Sequence, residues 1–171
     1  MRRRTLGDEH PDTLDSITNL SLHHTETGNL GGNLVSALKL SEEVVAATRR
    51  MMGNDEGNSE AAHAFCSLAA VHNLMGVYEL AQPLHMEALE MRLRLFGEEH
   101  VDTLNSKYNL AQCLVGLREH EHGLEMLEEV AVTARRVLGE THPSYEHFSN
   151  GLAAVKERGD IVELVGNSLP S

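Results

Sequence analysis

Residues 67–97 read SLAAVHNLMGVYELAQPLHMEALEMRLRLFG. Within this stretch Ala81, Leu84, Ala88, Met91 and Leu95 step by three, four, three and four. That spacing places all five on one face of a helix. Gly97 lies just past the last of them, where glycine accepts the left-handed backbone that ends a helix. Arg94, three residues earlier, suits the negative end of the helix dipole.

The same ending recurs. Arg-x-x-Gly closes at Gly7, Gly53, Gly97 and Gly139, with glycine spacings of 53 − 7 = 46, 97 − 53 = 44 and 139 − 97 = 42. Three of these glycines are followed three residues on by a histidine (His10, His100, His142), and two of the histidines by a proline (Pro11, Pro143). DTLDS at 12–16 and DTLNS at 102–106 nearly match, and Asn19-Leu20 and Asn109-Leu110 stand in the same phase. A period of this length marks a repeat architecture. Each unit reads as two helices. In the third, Leu104, Leu110, Ala111, Leu114 and Leu117 share one helix face, and Asp102 and Thr103 open it. The length surplus fits GNLGGN (28–33), expected as a loop, and GNDEGNSE (53–60). In the fourth unit a first helix is expected from Pro143 to Arg158. Gly159 then stops it, Asp160 caps the next, and Ile161–Val165 begin a stub of the second.

Composition bounds the function. The chain has 171 residues, 41% apolar, four prolines and two cysteines, and a net charge of 14 − 26 = −12. That charge disfavours nucleic acid and anionic membranes as partners. No apolar stretch is long enough to span a bilayer. Met1 and Arg2–Arg4 are not followed by an apolar run, so they read as the last turn of a truncated second helix and not as a leader. The expected compartment is the reducing cytosol.

The segments NLAQCL (109–114), SLAAVHNLMGVYELAQPLHMEALEMRLRLFG (67–97) and LGDEHPDTL (6–14) resemble the 42-residue tetratricopeptide repeats of the kinesin-light-chain type, over about residues 2–158. The resemblance implies an all-α fold, a right-handed α-solenoid of antiparallel helix pairs. It implies an array over 1–159 with full units at 6–52, 53–96 and 97–138 and a partial fourth from 139, then a stub and tail at 160–171. It also implies protein–protein interaction without catalysis: a peptide segment or partner protein held in the concave groove lined by first helices. Carried over by register, the groove positions are Asp15, Thr18, Asn19 and Leu22; His63, Cys66, Ala70 and Asn73; Asn105, Tyr108, Asn109 and Gln112; and His147, Asn150 and Ala154. The set is rich in amides, which both donate and accept hydrogen bonds and so can grip an extended backbone. Asn19 and Asn109 have an alternative reading as repeat-signature residues that serve packing. The alternative for the chain as a whole is a structural piece of a longer array, with apolar ends free for end-to-end self-association.

Departures from the repeat pattern stand out. Lys107 occupies the place of Ile17 and Phe65, Gly123 that of an expected alanine, and Arg118 that of the turn residue Gly76; the second unit lacks the His-Pro start. The acids of the second helices (Glu42, Glu43, Glu87, Glu90, Glu125, Glu128, Glu129) read first as a solvated outer face and second as a means of steering a basic partner. The eleven histidines show no His-Glu-x-x-His, and Cys66 and Cys113 show no Cys-x-x-Cys. No metal, cofactor or catalytic site is therefore expected.

Overall fold

The computed structural model describes residues 30–52 and 59–166. Among them lie six helices: α1 (Leu30–Met52), α2 (Ser59–Leu74), α3 (Tyr78–Phe96), α4 (Val101–Gly116), α5 (His120–Leu138) and α6 (Pro143–Gly166). No strand occurs among the described residues. The chain divides into two compact units, at Leu95 and Phe96. The first holds α1, α2 and nearly all of α3; the second holds α4, α5 and α6.

In the first unit α1 packs on α2. Ala37, Val44, Val45 and Ala47 of α1 are buried, as are Ala61, Ala62, Phe65, Leu68 and Ala69 of α2 and Ala81, Leu84, Ala88 and Met91 of α3. The guanidinium of Arg49 lies 5.1 Å from the centroid of the Phe65 ring and bonds Glu87 of α3 at 2.9 Å. One α1 side chain thus touches both helices of the next hairpin.

In the second unit α5 packs on both α4 and α6. Leu104, Tyr108, Ala111, Leu127, Val130, Ala134, Phe148 and Val155 form its core, drawn from all three helices. Gly123 has its reason here. A β-carbon on it would come within 2.7 Å of Val115 Cγ2 and 2.9 Å of the Ala111 carbonyl oxygen. The equivalent Ala81, 42 positions earlier, is fully buried without excluding its neighbours. Lys107 also has an outlet. It escapes the core that Phe65 fills by reaching Glu129 of α5 at 2.6 Å, a long stem carrying its charge outward.

The hairpin turns repeat bond for bond. After α2, the N–H groups of Met75, Gly76 and Val77 donate to the carbonyls of Val71, Asn73 and His72; after α4, those of Leu117, Arg118 and Glu119 donate to Cys113, Val115 and Leu114. Gly76 takes φ 73° there and Arg118 takes φ 68°. The arginine therefore adopts a left-handed backbone that L residues seldom accept. Gly97 and Gly139 occupy like corners at φ 81° and 86°. Gly7 and Gly53 lie outside the described residues.

Two expectations are corrected. GNLGGN is not wholly a loop, because α1 already begins at Leu30. Nor does Gly159 stop a helix or Asp160 start one: α6 runs unbroken from Pro143 to Gly166. One glycine costs a helix only about 1 kcal/mol, too little to break α6 by itself. The basic start at Arg2–Arg4 falls outside the described residues. Among those residues no helix is long and apolar enough to cross a membrane.

Candidate functional site

The first helices α2, α4 and α6 carry the positions assigned by register. Both α4 and α6 start from a histidine. His100 Nδ1 accepts a hydrogen bond from the Asp102 N–H at 3.2 Å, and His142 Nδ1 accepts one from the Ser144 N–H at 3.1 Å. Each histidine thereby satisfies one of the orphan donors of a helix N-terminus.

On α4, Asn105, Asn109 and Gln112 are half-buried; on α6, His147 and Asn150 are exposed, as is Ala154. The five polar side chains lie on two helices that touch one another and are taken together as a polar strip, with the exposed Glu146 one turn before Asn150. The nearest lysines are engaged elsewhere, Lys107 with Glu129 and Lys156 with Glu128, each at 2.6 Å. On α2, His63 and Ala70 are half-buried.

Three register positions are not open groove positions. Tyr108 is buried, with its ring centroid 4.7 Å from that of His147 and 5.3 Å from that of Phe148. It is seated directly against Gly151 and hydrogen-bonded to Gln112. Burial raises its phenol above the ordinary range, opposed by the Gln112 bond. Tyr108 is thus a floor beneath the polar strip. Cys66 is buried. Asn73 turns its amide inward, with Nδ2 3.1 Å from His85 Nε2. Asp15, Thr18, Asn19 and Leu22 lie outside the described residues.

The Asn73–His85 pair was not foreseen as a unit. His85 is fully buried where the next unit has Leu127, and burial pushes it down to about 4. Asn73 Oδ1 and His85 Nδ1 have no hydrogen-bond partner. His72 is likewise lowered by burial, with Glu42 acting the other way. The signal available in the sequence was only a histidine at a core step of the repeat.

The acids of the second helices are partly engaged. Glu87, Glu128 and Glu129 pair with Arg49, Lys156 and Lys107, while Glu42, Glu43, Glu90 and Glu125 are exposed. No group of three or more His, Cys, Asp or Glu side chains suited to a metal occurs among the described residues.

This is the architecture of a helical-hairpin repeat. Residues 59–130 match the family model of the tetratricopeptide repeat. Among solved structures, the TPR-like repeats of a Podosopora anserina protein assigned as a kinesin light chain superpose with a TM-score of 0.71 at 22% identity, covering 95% of this chain and 80% of that one. A single-substitution variant of those repeats gives 0.66 at 24% identity, covering 97% and 77%. BtubC (BKLC) from P. vanneervenii gives 0.66 at 18% identity, covering 99% and 71%. No curated protein matches the sequence. The chain thus has the all-α fold of these repeat arrays, and its residues 59–130 are similar to tetratricopeptide repeats. Repeats of this class are generally protein-interaction modules.

Proposed function

We propose that the chain binds an extended peptide segment of a partner protein along the polar strip of α4 and α6, with no catalytic step. The observation that carries this reading is the uncharged, amide-rich composition of Asn105, Asn109, Gln112 and Asn150 over the Tyr108 floor. Amides offer donors and acceptors to a peptide backbone whatever its side chains. Recognition is then by backbone hydrogen bonds and shape. Binding that does not rest on ion pairs is only weakly sensitive to salt.

The test is selection from a displayed random-peptide library, followed by titration of the selected peptides. Asn105→Ala plus Asn109→Ala removes two amides, each worth about 0.5–1.5 kcal/mol. Affinity should fall about tenfold with Tm unchanged. Peptides that bind the double variant as tightly as the wild type would remove the groove reading and leave the fold intact. A steep loss of binding with salt would favour the outer acidic face as the docking surface.

A further inference from the structure

The interaction reading leaves the repeat histidines without a role. His100 and His142 stand 42 positions apart, in the same place before successive first helices. Each makes the same bond, with Nδ1 accepting the backbone N–H two residues on. Acceptance requires a bare Nδ1, and therefore a neutral ring carrying its proton on Nε2. Asparagine, aspartate, serine and threonine are the usual caps and keep their acceptor at mild acidity. Histidine does not, because its proton exchanges near physiological pH.

We propose that His100 and His142 are acid-released latches on the first helices α4 and α6, so that mild acidification undoes the starts of the helices that carry the polar strip. A proton on Nδ1 turns the acceptor into a donor and deletes the cap bond. It also places a positive charge at the positive end of each helix dipole. Both effects act in the same direction.

The charged surroundings differ between the two. At His100 the Asp102 carboxylate lies 3.6 Å from Nδ1 and attracts the protonated ring, which also stacks on Phe96 at 4.5 Å. Glu99, in the same connection, is held by Arg136 of α5 at 2.7 Å. At His142 the connection carries Glu140, bonded to Arg135 of α5 at 2.6 Å, and Glu146 lies in the first turn of α6. His100 therefore exchanges a cap bond for an ion pair, and His142 is the stronger latch.

The test compares wild type with His100→Asn plus His142→Asn, whose amide caps do not titrate. Tm is followed from about pH 7.5 to about pH 5.5. Wild type should lose about 2–4 °C more than the variant over this range through the His142 cap, with a smaller addition from His100, whose ion pair offsets part of its lost bond. Relief of charge repulsion as the pH approaches the sequence pI of 5.3 acts on both proteins and cancels in the comparison. Parallel Tm profiles would overturn the proposal. Nitrogen-15 NMR of the wild-type imidazoles reads the latch directly and does not depend on the variant folding. At neutral pH both rings should carry the proton on Nε2; a proton on Nδ1 in either would overturn the proposal for that helix.

Discussion

Gly151→Ala tests the packing beneath the candidate site, because its sign depends on a single neighbour. A β-carbon at Gly151 would lie 2.7 Å from Cε2 and 2.8 Å from Cζ of Tyr108, and closer still to the hydroxyl oxygen. Ordinary carbon contacts lie at about 3.5–4.0 Å. The ring has little room to withdraw, since it already packs against His147 and the fully buried Phe148. Overpacking of this kind costs about 1–3 kcal/mol. Against it stands the helix-propensity gain of alanine over glycine, about 1 kcal/mol. Overpacking offsets or outweighs propensity, for a net loss of up to about 2 kcal/mol and a fall in Tm of up to about 8 °C. Replacing Tyr108 by cysteine, the residue at the equivalent position 66, removes the obstacle. In that background only the propensity gain is left, so Gly151→Ala should raise Tm by about 2–4 °C. Thermal melts followed by circular dichroism measure all four corners of this cycle. A stabilising Gly151→Ala in wild type, or the same shift in both backgrounds, would refute the seating of Tyr108 on Gly151.

Arg118→Gly should stabilise the second unit by about 1 kcal/mol, since it relieves a left-handed arginine (φ 68°) where Gly76 stands in the first; chemical denaturation should show a raised midpoint with an unchanged slope. His85 supplies a pH dependence. Its folded value of about 4 lies below the ordinary 6.5, so its contribution to stability is full above about pH 6.5 and is lost as pH falls toward 4. His85→Leu, the residue at the equivalent position 127, should remove that loss, which is on the order of 3 kcal/mol. Acid-unfolding curves of the two proteins that coincide would show that His85 is not held neutral.

The helices were legible because their signals are local. Periodic apolar positions, the Arg-x-x-Gly endings and the His-Pro starts all act within one turn of the residues they specify. What failed were readings that weighed one residue without its tertiary setting. Glycines and asparagines at 28–33 suggested a turn, but α1 begins at Leu30 and goes on to bury Ala37, Val44 and Val45, and packing of such a face outweighs intrinsic propensity. Register named Tyr108 as a groove residue. It could not show that Gly151, on the next first helix, opens the space into which the ring withdraws. Asn73 was placed by the same register, yet its amide serves His85. For the candidate site, register told which helix face each residue lies near, and the size of its neighbours decided whether the side chain stayed there.

The same reasoning bears on end-to-end assembly. In α4 the residues that help to cover α5 include Leu104, Ala111 and Val115, with Leu114 also buried. Moved on by 42 positions, these places in α6 hold Glu146, Ala153, Glu157 and Lys156, all exposed. Lys156 is already paired with Glu128 of α5. A further helix packed on α6 as α5 packs on α4 would bury two glutamates and a lysine where α4 offers apolar side chains. Desolvating unpaired charges costs several kcal/mol each, far more than Ala153 and the half-buried Leu152 could return at about 25 cal/mol per Å². Among the described side chains of α6, which end at Arg158, the apolar face that would support stacking in this way is therefore absent.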